Sequence, residues 1–308
     1  MAVIRTAFAL AVAVWALVPG IAAEEAENAN LNRDAKISLL LERGVPAQEG
    51  LRRAILAGRS IQATVAIDAK SLLDPNSVAV EWNGQPIPHF VYYKQADFAM
   101  IFALPDFDRM AEREEGELTM TAKLVGADAI AAGWRLPVTI SRDEATSAAL
   151  AFHNRTGPAT TIRGADGRPA AGAWFFGQRR ADLLALADAE GRVILDAPSR
   201  NTPGPHYAWN AESWTAAFES MTNPDVTLVP REGNTRAGSL VAVDVGGLAV
   251  QPIVVLVDNN RYVVSVGNSA KLDLRSDMET ELLILSPGHA PLRYVVPLAE
   301  SEVRAVFP

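Results

Sequence analysis

From Ser60 onward, apolar and polar positions alternate. Ile61, Ala63, Val65 and Ile67 stand between more polar or smaller neighbours, and Val78, Val80 and Trp82 repeat the spacing. A period of two is that of a half-buried β-strand. Asn83-Gly84 follows, the strongest short hairpin signal in the chain, and Ile87, His89, Val91 and Tyr93 then line one face of a return strand. Residues 98–103, 117–124 and 134–140 extend the series. Earlier, residues 37–41 read as a strand, and residues 48–57, rich in helix formers with Gly50 inside, as a loop or short helix. Residues 35–145 therefore read as one antiparallel, helix-poor sandwich closed by Pro137.

Residues 164–198 hold two turn signals. In Asp166-Gly167 the glycine accepts positive φ, Pro169 fixes φ as the chain leaves, and Gly172-Ala173 lets the next strand start in a tight space. Asp188 to Gly191 repeats this chemistry. A D-G-x-P-x-x-G-A turn followed by x-D-x-x-G-x-x-x-L resembles the carboxypeptidase regulatory-like family, a prealbumin-like β-sandwich. Ser286-Pro-Gly-His-Ala-Pro291 looks like the P-G-[YH]-x-P turn near the end of such domains. The resemblance implies a non-catalytic module of the kind appended to secreted enzymes, transporters or surface proteins. It carries over no catalytic or metal-binding residue. Residues 65–89, with Trp82-Asn-Gly-Gln-Pro-Ile-Pro-His89, loosely resemble N-terminal sandwiches of exported bacterial surface proteins, and no function is transferred on that likeness.

The remainder reads as two tandem copies of one unit, residues 156–231 and 232–308. Both hold an early turn, Asp166-Gly167 and Asp244-Val-Gly-Gly247, and both end in an acidic residue plus an apolar run closed by Pro230 or Pro308. The second copy departs from the family pattern, with Leu248 where Pro is usual and Pro252 a few residues on. Asp258-Asn-Asn260 predicts a hairpin between residues 253–257 and 262–266. Flexible joints are expected near residues 141–146 and 231–234.

The chain opens with Arg5, an apolar run to Val18, a Pro19-Gly20 break and small residues before Glu24-Glu25. A basic start, a short apolar core and a small-residue end make a signal peptide over residues 1–23, with a retained anchor as the alternative. Residues 24–34 are a polar, acidic lead-in. The fold class expected is all-β, tandem β-sandwich domains of immunoglobulin-like or prealbumin-like type after a cleaved signal peptide. The absence of cysteine excludes disulfides and a lipidated cysteine, so the core alone stabilises an exported, periplasmic or extracellular chain. The formal charge of −8 becomes −9 without Arg5, since 28 − 1 = 27 basic residues then face 36 acidic ones. That field disfavours nucleic acid and anionic membrane as partners. Arg52-Arg53 and Arg179-Arg180 are isolated pairs on a solvated surface, and Glu112 to Glu117 is a charge run read as a solvated loop.

Chemistry-bearing groups are sparse. With no cysteine and no G-x-S-x-G elbow, nucleophilic hydrolysis of the usual kinds has no carrier. His89, His153, His206 and His289 stand far apart, so no metal is expected, nor any cofactor. Asp166, Asp188 and Asp258 are explained by their turns, with calcium as the alternative.

The anomaly is an insertion-like loop over residues 198–223 holding His206-Tyr207-Ala-Trp209 and Trp214 to Phe218. Aromatic faces in a loop stack on a sugar ring or pack against a partner, which makes Tyr207, Trp209 and Trp214 the candidate ligand-binding residues. The structural alternative is that these rings plug an open end or seam of the sandwiches. A row of exposed rings predicts a binder, and buried rings predict a spacer. The leading function is a non-catalytic binding or structural module at the bacterial cell envelope, with an envelope protein or polysaccharide as partner. The alternatives are a carbohydrate-binding accessory to a secreted enzyme, and an enzyme with an unrecognised carboxylate pair in a cleft.

Overall fold

The computed structural model describes residues 21–24, 35–105, 115–153, 159–177, 184–194, 206–218 and 225–308. Most of the stretches read as signal peptide and lead-in, Glu112 to Glu114, Arg179-Arg180 and both ends of the aromatic segment, 198–205 and 219–223, lie outside these residues. Among the described residues the fold is all-β, six sheets packed as sandwiches, with two helices.

The first sandwich uses β1 (Ile21–Glu24), β2 (Ala35–Glu42), β3 (Ile61–Ile67), β4 (Leu73–Trp82), β5 (Gln85–Pro86), β6 (His89–Gln95), β7 (Phe98–Ala103), β8 (Glu115–Leu124) and β9 (Ile130–Thr139). Sheet β1-β2-β3-β7-β6 shares one core with sheet β5-β4-β8-β9. Strand β3 shows the expected alternation, with Ile61, Ala63, Val65 and Ile67 buried. Asn83 and Gly84 take φ of 51° and 73°, as a tight hairpin between β4 and β5 requires. The return strand expected to follow does not stay in this sheet. Pro86 and Pro88 donate no N–H, so the ladder ends after Ile87 donates to the Val80 carbonyl, 3.0 Å away. Strand β6 instead crosses over and pairs with β7. The charge run read as a solvated loop is, over its described part, the start of β8.

Helix α1 (Ala47–Leu56) realises the short helix, burying Gly50, Leu51 and Ile55. Helix α2 (Arg142–His153) stands where a flexible joint was expected. Its start is a capping box: the Ser141 hydroxyl accepts from the Glu144 N–H, and the Glu144 carboxylate accepts from the Ser141 N–H, 3.1 Å away. Arg52 of α1 pairs with Glu144, so this end of the sandwich is tied side chain to side chain.

The second sandwich uses β10 (Ala159–Arg163), β11 (Trp174–Gly177), β12 (Leu184–Leu186), β13 (Arg192–Ile194), β14 (His206–Trp209), β15 (Ala216–Phe218) and β16 (Asp225–Thr227). The third uses β17 (Thr235–Asp244), β18 (Ile253–Val257), β19 (Arg261–Ser265), β20 (Ser269–Arg275), β21 (Thr280–Leu285), β22 (Leu292–Val296) and β23 (Glu302–Phe307). Their sheet orders are β13-β10-β16 with β12-β11-β14-β15, and β20-β17-β23 with β19-β18-β21-β22. Strand for strand the two topologies are the same, including the parallel pairing of first and last strands, β10 with β16 and β17 with β23. The opening turns superpose in register as well, because Arg163 bridges Pro169 as Val243 bridges Ala249. Ala249, rather than Leu248, therefore stands where the first copy has its proline.

The expected turns carry the expected backbone: Gly167, Gly172, Gly191 and Gly247 have positive φ, as do Asp258 and Asn259 between β18 and β19. The aromatic segment departs from expectation. Residues 206–209, expected outside regular structure, form β14, and residues 216–218 form β15, inner and edge strands of a four-stranded sheet.

Gly116 in β8 faces the buried Trp82 so closely that a Cβ there would lie 1.9 Å from the indole Cζ2. Gly116→Ala should therefore lower unfolding stability by about 1–3 kcal/mol through overpacking. In a Trp82→Leu background the same change should cost less than half as much, as a double-mutant cycle of thermal or urea unfolding would read.

Candidate functional site

Strand β14 alternates: His206 and Ala208 point into the second sandwich, while Tyr207 and Trp209 point out of it, alongside Trp174 and Phe176 of β11. That outer face is largely covered, with Trp174 and Tyr207 keeping part of their exposure. It packs on the outer face of β6 and β7, where Phe90, Tyr92, Phe98, Met100 and Phe102 project away from the first sandwich's own core. Phe90 lies 5.5 Å from Phe176 and 5.2 Å from Trp209 between ring centroids, Phe102 lies 5.6 Å from Phe176, and Trp174 stacks on Trp209 at 6.3 Å. These separations and tilts are those of favourable aromatic pairs. Trp209 keeps 6% of its exposure and Tyr207 is half-buried.

Trp214 goes elsewhere. Its side chain is fully buried in the core of the third sandwich, among Leu240, Ile253 and Leu274. The indole N–H donates to the Asn234 carbonyl at 3.0 Å, and the guanidinium groups of Arg231 and Arg275 lie 5.2 Å and 5.9 Å from the ring centroid. Next to it, the Thr215 N–H donates to the Asp258 carboxylate (2.9 Å) and the Thr215 hydroxyl to the Asp258 carbonyl (2.5 Å). Arg275 donates to the Thr215 carbonyl, lies 3.6 Å from Asp258 and forks onto Asp277. The positive φ that Asp258 needs for the β18–β19 hairpin thus also places its carboxylate under the incoming second sandwich. Burial pushes the Asp258 carboxyl from 3.8 up to about 6, against the Thr215 N–H and Arg275, which favour the charged form.

The third sandwich docks on the first with the outer face of its own four-stranded sheet. Val254, Leu256, Leu283 and Leu285 join the first sandwich's core cluster. The Tyr262 hydroxyl donates to the Val91 carbonyl at 2.9 Å, and its ring meets Tyr93 edge-on at 5.8 Å. The three candidate ligand residues are therefore not one row: Tyr207 and Trp209 sit in the seam between the first and second sandwiches, and Trp214 in the joint between the second and third.

The turn carboxylates are engaged by backbone. Asp166 accepts from the Arg168 N–H, and Asp188 from those of Glu190 and Arg192. His89 places its ring nitrogens 3.1 Å and 3.0 Å from the carbonyls of Ile87 and Val78. His206 is enclosed between Phe175 and Phe218.

No family model matches the chain, and no curated protein matches it. Among solved structures it is similar to the Bacillus anthracis TIE protein, with 10% identity over 81% of this chain and a TM-score of 0.18. The chain spans 54% of the length of that structure. It is also similar to a Streptococcal ancillary pilin (10% identity, 71% of this chain and 80% of that one, TM-score 0.22). A third is a 1.5-MDa bacterial ice-binding adhesin (10% identity, 88% and 98%, TM-score 0.19). No helix among the described residues is long and apolar enough to cross a membrane.

Of the seam residues that sequence reasoning passed over, Phe90, Met100, Phe102 and Phe176, two had a signal, Met100 and Phe102. Residues 98–103 read Phe-Ala-Met-Ile-Phe-Ala and residues 253–257 Ile-Val-Val-Leu-Val, unbroken apolar runs that mark strands buried on both faces.

Trp209→Ala should lower unfolding stability by about 3–5 kcal/mol, measured by urea unfolding, because it empties the middle of a closed aromatic cluster. Asp258 gives a signed pH effect. A carboxyl raised on folding contributes stability below its unfolded value and loses it as pH rises through the folded value. Between pH 4 and pH 7 the protein should thus lose up to about 3 kcal/mol relative to Asp258→Asn, which keeps an acceptor for Thr215 without the charge. Parallel unfolding curves that do not converge or cross over that range would contradict it.

Proposed function

We propose that this chain is an exported, non-catalytic structural and binding module of the bacterial cell envelope. Its units are an N-terminal sandwich over residues 35–145, a carboxypeptidase regulatory-like sandwich over 156–231 and a second, divergent copy over 232–308, after a signal peptide over 1–23 and a lead-in over 24–34. The observation that carries this reading is the use made of the aromatic side chains: Trp174, Trp209 and Trp214 close contacts between sandwiches. The same topology in the second and third sandwiches supports the two copies. The function of such a body is to hold surfaces at fixed relative positions, with a protein or polysaccharide of the envelope as the partner. Tyr207 and Trp209 serve as seam residues in this reading, and Trp214 as the pin of the second joint. The rival reading, a carbohydrate-binding accessory protein, draws on the partial exposure that Trp174 and Tyr207 keep.

Two measurements test this. N-terminal sequencing of the protein recovered outside the cytoplasm should begin near Glu24; a chain that still starts at Met1 would contradict export by cleavage. Tryptophan fluorescence titrated with soluble glycans and cell-wall fragments should show no saturable shift. A saturable shift abolished by Trp209→Ala would establish the carbohydrate-binding reading instead.

A further inference from the structure

The second and third sandwiches share a topology but not a surface. In both, the three-stranded sheet turns its outer face away from the four-stranded sheet. Using the shared register of the opening turns, Thr161, Arg163, Ala165, Arg168 and, in the last strand, Thr227 of the second sandwich correspond to Val241, Val243, Val245, Leu248 and Val306 of the third. Four of these five positions change from polar to apolar, Thr161 to Val241, Arg163 to Val243, Arg168 to Leu248 and Thr227 to Val306, and the result is an apolar end to this face. Val241, Val245, Leu248 and Val306 keep 43%, 78%, 70% and 45% of their exposure. Val243, itself buried, and Val306 are direct neighbours across β17 and β23, and Val241 lies two residues back on the same face, between Ser269 of β20 and the exposed Arg304 of β23.

The charges beside the patch identify what covers it. One row below Val241, Ser239 pairs with Lys271 of β20 on one side and with Glu302 of β23 on the other. All three are exposed and project from the same outer face as Val241. A two-fold axis running along β17 exchanges the β20 and β23 sides of the face. Two copies packed face to face about that axis set Lys271 against Glu302 twice, Arg304 of each copy against Ser269 of the other, and Val241, Val306 and Leu248 of one against the same apolar end of the other.

We propose that the outer face of β20-β17-β23 is a homodimer interface, occupied by the same face of a second copy. It is isologous, as two-fold interfaces are, with the apolar end supplying burial and the Lys271–Glu302 pairs fixing orientation. A three-stranded face is at the small end for a stable complex, and the test is set for micromolar affinity.

The test is weight-average mass by sedimentation equilibrium across about 1–200 micromolar, a range set by that affinity class. The natural chain should rise from one to two monomer masses. Leu248→Arg with Val306→Thr, which installs the residues of the second sandwich, should hold the mass at one monomer. Lys271→Glu should raise the dissociation constant at least about tenfold, and Lys271→Glu with Glu302→Lys should restore it. These positions are exposed, and unchanged far-ultraviolet dichroism and unfolding midpoints verify that each variant folds. A natural chain that stays at one mass overturns the proposal, as does a dimer indifferent to Leu248→Arg with Val306→Thr. Failure of the double charge exchange to recover what Lys271→Glu loses overturns the two-fold arrangement.

Discussion

The outer face of β6 and β7 cannot be left in water. It carries Phe90, Tyr92, Phe98, Met100 and Phe102 on the side of the sheet opposite the first sandwich's own core, and burying large side chains of this kind is worth about 1.5–3 kcal/mol each. The second sandwich covers it with Trp174, Phe176, Tyr207 and Trp209. The third docks elsewhere on the first, where Val254, Leu256, Leu283 and Leu285 join the first sandwich's own core cluster. The first sandwich is thus the platform on which both others are seated, and a chain without cysteine acquires by burial the fixed geometry that smaller exported domains take from disulfides. The joints are secondary to this constraint: Trp214 and the Thr215–Asp258–Arg275 contacts lie where the chain passes between sandwiches already held by their faces.

That dependence explains which features were legible in the sequence. Asn83-Gly84, Asp166-Gly167 and Asp258-Asn259 were readable because a tight turn needs positive φ from the residues within it, a local demand. The alternation in β3 was readable because one of its faces belongs to the core. The path of the chain after Pro88 was not, since two prolines end one ladder without naming the next, and the pairing of β6 with β7 is settled by the whole sheet. Helix α2 had a local signature in Ser141 and Glu144, but it was read as a linker because its helical face is weakly marked, with Leu150 left exposed.

The aromatic segment was misread for a different reason. Glycine, proline and asparagine around residues 198–205 gave the composition of a loop, and β14 is too short, at four residues, for its alternation to outweigh its surroundings. What decided its conformation was a face of another sandwich, which a single segment does not encode. Asp258 was legible as a turn residue and not as a joint residue, since Thr215 lies 43 positions away in the chain. The same topology in two sandwiches, with polar positions of one replaced by valine and leucine in the other, shows how duplicated frames carry different surfaces on one set of turns.

The central claim is that the first sandwich seats the other two, and small-angle X-ray scattering at concentrations where the chain is monomeric tests it most directly. A single close-packed body of about 285 residues has a radius of gyration of about 19 Å. The account predicts a value within a few ångströms of that, with a Kratky curve returning to baseline. A markedly larger radius with the profile of three separate bodies strung end to end would contradict it, because the aromatic seam would then stand open to solvent.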